Sequence, residues 1–182
     1  MIWEDEEKII SFYDEMGGTN GFIDHIMRRQ EEIDMEHMTK GPQYSFWAIV
    51  QPSISLKQYD DRLSKLIPFE KSTVVIACYY LNKLSNKGFF LHANNVHRFM
   101  VCAMLIARKY HEEREPVRLH RVCKAAGINV TEMMSLEIFF CILLDWELFC
   151  SMEDLDFFIS CSINELHSEA GIQHVDSSRY KL

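Results

Sequence analysis

The most uniform hydrophobic stretch of the chain lies near its middle. Nine apolar residues follow one another from Phe99 to Ala107, and Arg108, Lys109 and Tyr110 come directly after them. A soluble helix that is apolar on every side must be enclosed by other helices, because packing one face against a core leaves the others in water. The stretch is also too short to cross a bilayer, which takes about 20 apolar residues. The pattern therefore predicts a central helix in an all-α domain.

Helical periodicity dominates on both sides of this stretch, without the sustained apolar and polar alternation of strands. Glycine and proline residues divide the chain at 17–21, at 41–42, at 52 and at 68. Ser55 with Gln58, and Asn129 with Glu132, have the spacing of a capping box and predict two helix starts. The predicted helices cover approximately 3–16, 22–38, 56–67, 71–85, 92–110, a short segment between Pro116 and Gly127, 130–144 and 154–167.

Composition narrows the class of protein. A chain of 182 residues suits one compact unit, and its net charge of −8 argues against a nucleic-acid partner. Six cysteines stand singly within apolar runs, which favours buried thiols in a reducing compartment over disulfides. No signal segment opens the chain. We therefore expect a protein of the cytoplasm or nucleus that has no membrane partner.

Six short motifs resemble those of the cyclin box in P/U-type cyclins, the phosphate-regulon type. They follow one another in the family's order between residues 52 and 158. The motifs are PSISLKQYDDRL from Pro52, YYLNK from Tyr79, NVHRF from Asn95, ARKY from Ala107, KAAGI from Lys124 and LEIFF from Leu136.

The resemblance implies a single five-helix cyclin box with flanking helices, in a protein that binds and activates a cyclin-dependent kinase. On this interpretation residues 1–41 form an N-terminal helical extension and 52–149 the box. Residues 150–167 form a C-terminal helix, and we expect 168–182 to be a flexible tail because that segment is polar. Phosphate signalling, cell-cycle entry and morphogenesis all stay open as outputs.

Lys109 and Glu137 are the foremost candidate binding residues. By resemblance, they bind the kinase main chain beside the regulatory helix of the kinase. The residues themselves allow a second interpretation: a partly dehydrated lysine needs an acceptor, so the two side chains could form an internal ion pair only. By resemblance, Tyr110, Cys141, Trp146 and Leu148 form the groove that receives the kinase helix, with ordinary core packing as the alternative for each.

Arg62 and Asn82 depart from the family pattern. In the family, an arginine of the first box helix pairs with an aspartate of the second, and the two residues have a structural role. Here the aspartate position holds Asn82, so only a neutral acceptor remains and the contact should be weaker. Asp61 and Glu137 are alternative partners for Arg62.

The sequence gives little support for a catalytic function. It has no Gly-rich phosphate loop, no nucleophile elbow and no HExxH motif. His120 and Cys123 could place two metal ligands on one helical turn, but zinc usually takes four, so we expect no metal, no cofactor and no catalytic residue. The competing function is a cyclin-fold scaffold that binds peptides without activating a kinase. A kinase activator should need Lys109 and Glu137, whereas a scaffold should tolerate their loss.

Overall fold

A computed structural model of the chain describes residues 6–30, 45–113 and 117–169. The described part contains eight helices and no strand, which confirms the all-α class. The helices are α1 (Glu6–Glu15), α2 (Gly18–Arg29), α3 (Leu56–Leu66), α4 (Lys71–Asn86), α5 (Val96–His111), α6 (Leu119–Ala126), α7 (Val130–Leu143) and α8 (Met152–Glu169). The chain divides into two compact units, Met1–Phe149 and Cys150–Leu182.

The core of the first unit is built around α5. Every residue of this helix from Phe99 to Arg108 is buried, as the unbroken apolar run predicts. Helices α3, α4 and α7 pack against α5, while α1 and α2 pack on the far side against α4. Phe99 stacks on Phe46 at 4.1 Å between ring centroids, and Phe140 of α7 completes this aromatic cluster.

Both predicted capping boxes lie at helix starts. The one at α3 is complete and the one at α7 is partial. Ser55 and Gln58 form both hydrogen bonds of a capping box at the start of α3. At the start of α7, Asn129 Oδ1 accepts a hydrogen bond from the backbone N–H of Glu132 at 2.8 Å. In the other direction Glu132 does not bind the backbone of Asn129: its Oε2 accepts from the side-chain Nδ2 of Asn129 at 3.4 Å, and its Oε1 accepts from Arg98.

Two helix starts differ from the sequence prediction. Helix α2 begins at Gly18 rather than near residue 22, because the predicted glycine break contracts to a turn at 16–17. Helix α5 begins at Val96 rather than 92, because Asn95 Oδ1 accepts from the backbone N–H of His92 and holds a turn there. The predicted helical segment 31–38, Pro116 and the tail from 170 onward lie outside the described residues.

Five cysteines are buried and Cys161 is half-buried, and all six are free thiols. Among the described residues no single helix has the length and apolar character of a membrane span. The pair α6 and α7 passes that test together by length and composition only, with a 95° bend between its members.

The second unit contains α8. Its start is capped by Ser151 and Asp154, whose side chains each accept a hydrogen bond from the other residue's backbone N–H.

Candidate functional site

In the second half of α5, only the C-terminal end reaches the surface. Arg108 is buried, Lys109 and Tyr110 are exposed, and His111 is buried again. Successive residues of a helix point about 100° apart, so only a narrow face of this end is open to solvent. That face carries one positive charge and one aromatic ring.

Lys109 meets Glu137 of α7 on this face. Lys109 Nζ lies 2.5 Å from Glu137 Oε1, with the lysine side chain 45% exposed and the glutamate side chain 14% exposed. The internal ion pair that the sequence left open is therefore formed, and solvent still reaches the lysine. An ammonium carries three N–H donors and a carboxylate about four acceptor positions, so both groups keep capacity for further hydrogen bonds.

Of the four other predicted groove residues, two are exposed and two are not. Tyr110 is exposed beside Lys109, and Trp146 is 63% exposed after the end of α7. Cys141 is buried, and the burial, followed by the charge of Glu137, raises the pKa of its thiol. Leu148 is half-buried, and its carbonyl is bound within the chain. Two of the four predicted groove side chains, Tyr110 and Trp146, are thus available to a partner without rearrangement.

The segment after α7 holds Trp146 in an unusual backbone conformation. Trp146 N–H donates to Cys141 O at 2.8 Å and Asp145 N–H donates to Ile142 O at 2.9 Å, the two bonds of a Schellman motif. Asp145 and Trp146 have φ of 53° and 60°, in the left-handed region that glycine usually occupies at such helix ends. This geometry directs the chain away from α7 and leaves the indole ring exposed.

Bonds to α4 and α5 hold this segment in place. Lys83 pairs with Glu147 at 3.1 Å and Lys87 pairs with Asp145 at 2.6 Å. On the buried side, Tyr80 Oη donates to the carbonyl of Leu148 at 2.5 Å, and the ring of His111 contacts the same carbonyl. Burial lowers the pKa of His111, so its ring is neutral at pH 7.

A buried cluster fixes the end of α5 that carries Lys109. Arg108 donates to the carbonyl of Pro68 and pairs with Glu112 at 3.3 Å. Glu112 also accepts from Thr73 Oγ1 at 2.6 Å. These contacts connect α5 to the start of α4, and sequence reasoning did not find them, although the charged residues beside the apolar run were a signal.

Arg62 does not contact Asn82. Its Nε donates to the carbonyl of Ala125 at 2.5 Å, and its guanidinium lies 5.7 Å from the ring of Tyr59. The arginine therefore connects α3 to the end of α6, rather than to α4 or to Asp61 or Glu137. Asn82 is half-buried on α4.

The sequence analysis also missed an ion pair at the opposite end of α5. Arg98 Nη2 lies 2.5 Å from Glu132 Oε1, and both side chains are partly buried. Both residues lie in motifs that the sequence had marked, but their contact depends on how α5 and α7 cross. His120 is exposed and Cys123 is buried, and no group of three or more potential metal ligands occurs among the residues described.

These features describe an all-α module built on one buried helix, with a charged pair and two exposed rings collected at one end of that helix. A family model described as Cyclin matches residues 20–148, and the chain belongs to the cyclin family. The match begins inside α2, so it includes part of the predicted N-terminal extension.

Curated relatives include cyclins of the U, P and PHO85 types. Cyclin-U4-3 of Arabidopsis thaliana is 27% identical over 128 residues, which cover 69% of this chain and 58% of the relative. PHO85 cyclin-like protein psl1 of Schizosaccharomyces pombe is 30% identical over 119 residues, covering 64% and 49%. PHO85 cyclin-7 of Saccharomyces cerevisiae is 26% identical over 138 residues, covering 69% and 47%. The chain spans about half the length of the curated relatives it matches.

Proposed function

We propose that this chain is the regulatory subunit of a cyclin-dependent protein kinase, acting in the cytoplasm or nucleus, and has no catalytic activity of its own. Membership of the cyclin family supports a regulatory role. Two relatives carry PHO85 in their names as cyclins, which favours a kinase of the PHO85 type as the partner.

One observation carries the assignment of the binding residues. The Lys109–Glu137 pair is closed by a short bond yet remains at the surface. Exposed Tyr110 follows Lys109, and exposed Trp146 lies two residues before Leu148, whose carbonyl the ring of His111 contacts. The lysine has N–H donors to spare for a carbonyl of the kinase main chain, and the second carboxylate oxygen of Glu137 is free for a main-chain N–H. The two rings supply apolar contact area to a helix, and Trp and Tyr are common anchors in such interfaces.

The proposed mechanism is a shift of conformational population in the kinase. A kinase is active when its regulatory helix brings a glutamate to the catalytic lysine. A cyclin that binds the helix better in that position moves the equilibrium toward it. In this arrangement Lys109 and Glu137 fix the main chain of the helix, while Tyr110 and Trp146 pack on its side chains.

Copurification with a PHO85-type kinase tests the proposal. The intact chain should recover the kinase and raise its activity on a peptide substrate. Lys109→Ala and Glu137→Ala should each lower affinity at least tenfold while circular dichroism stays unchanged. Lys71→Ala is a matched control, because Lys71 is also 45% exposed and pairs with Asp14 at 3.0 Å.

Exchanging the charges of Lys109 and Glu137 distinguishes a role in partner binding from a purely internal ion pair. The double variant Lys109→Glu with Glu137→Lys can restore the pair inside the chain. It places a donor where the kinase needs an acceptor, so we expect folding to be preserved and kinase binding to stay lost. Recovery of binding in the double variant, or binding of a kinase without any rise in its activity, would contradict the proposal. The second result would favour the peptide-binding scaffold.

A further inference from the structure

A pocket of about 210 Å³ lies at the N-terminal end of α5, between the starts of α3 and α5, the end of α6 and the segment 48–54. Arg62 and Arg98 both line it, and within 6–30, 45–113 and 117–169 no aspartate or glutamate does. The chain has a net charge of −8, yet two guanidinium groups line this pocket, and only that of Arg98 is paired with a carboxylate, Glu132, which lies outside the lining. The charge of the pocket therefore favours an anion.

Both arginines have donors without acceptors. Arg98 donates through Nη2 to Glu132, and its Nε and Nη1 are buried without a hydrogen-bond partner among the described residues. Arg62 donates through Nε to Ala125 O, while its Nη2 lies over Gly127. Arg98 Nε and Nη1 have no accessible surface in this conformation, so an acceptor reaches them only when the side chain turns toward the pocket, and it then relieves the cost of buried donors that lack an acceptor. The Arg98 side chain keeps 22% of its surface exposed, so it can be reached from the pocket.

Tyr59 and His97 line the pocket without adding positive charge, and His97 Nδ1 is buried without a hydrogen-bond partner among the described residues. Tyr59 Oη donates to the carbonyl of Ala126 at 3.4 Å. His97 Nε2 lies 2.9 Å from the carbonyl of Ile54, which can only accept, so Nε2 carries the hydrogen in the neutral ring. The charge of the pocket thus comes from two guanidinium groups, one of which is paired with Glu132, and their planar N–H forks match the three oxygens of a phosphoryl group.

The rim of the pocket is apolar. Val50, Pro52, Ile54 and Ile128 line it, and Ile49 beside the rim is 100% exposed. These side chains add nothing to the binding of a free phosphate ion, but they can pack against apolar neighbours of a phosphorylated residue. The combination of a cationic wall and an apolar rim is complementary to a protein segment rather than to an ion.

We propose that this pocket binds a phosphorylated side chain in an extended segment of a partner protein, with an apolar residue next to the phosphorylated one. The site is separate from the proposed kinase contact: Arg98 and Lys109 are 11 residues apart on α5, about 16 Å along the helix axis. The proposal does not rest on kinase binding and can be tested on the chain alone.

The test is a titration of the intact ¹⁵N-labelled chain, followed through its arginine Nε–H resonances. The probe is a capped five-residue peptide with a central phosphoserine between two leucines. Inorganic phosphate and the same peptide with aspartate in place of phosphoserine are the comparison ligands. We expect saturable binding of the phosphopeptide at least tenfold tighter than that of either comparison ligand.

Variants assign the binding to the two arginines. Arg62→Gln and Arg98→Gln should each weaken the phosphopeptide at least tenfold, while Arg121→Gln, an exposed arginine of α6, should leave it unchanged. Glu132→Gln should strengthen binding severalfold, because it releases Arg98 Nη2 from its internal carboxylate. A purely structural ion pair would not give opposite effects for its two members. If Arg98→Gln fails to fold, Arg98→Lys provides a charged substitute that loses only the second donor of the fork.

Four results would overturn the proposal. Absence of saturable phosphopeptide binding would remove the site. Equal affinity for inorganic phosphate would assign the pocket to a free ion, and equal affinity for the aspartate peptide would assign it to a carboxylate. Unchanged affinity in folded Arg62→Gln and Arg98→Gln would place the binding elsewhere on the chain.

Discussion

Lys109 Nζ and Glu137 Oε1 lie 2.5 Å apart, and the lysine is the more exposed of the two. The pair adds little to folding although Glu137 is only 14% exposed, because solvent reaches the lysine and screens the attraction, and holding its long side chain costs entropy. The pair is therefore better suited to binding than to stability.

Lys109→Ala should lower the free energy of unfolding by less than about 1 kcal/mol, the range of exposed ion pairs. Urea unfolding followed by circular dichroism measures this, with Lys71→Ala as the control, in which the lysine is equally exposed and its partner Asp14 is 62% exposed. A loss above about 3 kcal/mol, typical of a broken buried pair, would mean that the contact is mainly structural.

The sequence was sufficient to predict the helices of the core but not the contacts between distant helices. The unbroken apolar run predicted that α5 is enclosed, and side-chain caps predicted the starts of α3 and α7, because both signals are local. The bond from Arg62 to the carbonyl of Ala125 joins residues 63 apart, and it depends on how α3 and α6 pack. No local pattern contains that information.

The candidate site could likewise be predicted only in part. Resemblance brought Lys109 and Glu137 together, and the structure places them in contact. For Cys141 the sequence left groove and core packing both open, because apolar residues cover almost the whole circumference of α7, and the structure turns it into the core. The left-handed backbone at Asp145 and Trp146 was not predicted either, because helix ends of this kind normally carry glycine and this one carries Asp145.

Trp146→Gly should be more stable than Trp146→Ala by about 1 kcal/mol. Glycine adopts a φ of 60° without strain, whereas alanine keeps the left-handed penalty of about 1–2 kcal/mol. Both variants remove the exposed ring, so both should weaken kinase binding equally. Thermal unfolding and kinase copurification of the two variants provide the comparison, and equal stability would show that the backbone relaxes at this position.

Asp60→Asn should stabilise the protein above pH 6 but not near pH 4. Burial, opposed by the backbone N–H of Asn20 and reinforced by the charge of Asp61, raises the pKa of Asp60 to about 6. A carboxyl with a raised pKa in the folded state favours folding while it is protonated, and that contribution is lost as the pH rises from about 4 to 6. The loss is on the order of 1–3 kcal/mol, which the asparagine variant avoids.

Urea unfolding at pH 4 and pH 7.5 measures this difference, with the exposed neighbour Asp61→Asn as control. The gain from Asp60→Asn should appear only at the higher pH, and the control should show a smaller change. A gain of the same size at both pH values would mean that ionisation of Asp60 is not its cause.

Gly127→Ala tests the wall of the phosphoryl pocket through the backbone. Gly127 has φ of +71°, and a Cβ there would lie 3.3 Å from Arg62 Nη2, so alanine brings both backbone strain and pressure on the guanidinium. Gly17→Ala is the matched control, because Gly17 has the same φ and nothing lies within 4 Å of an added Cβ. Both variants should lose about 1–2 kcal/mol of stability from the left-handed backbone. Only Gly127→Ala should also change phosphopeptide affinity, at least threefold, because only there must Arg62 move; identical affinities for the two variants would separate Arg62 from the pocket's ligand.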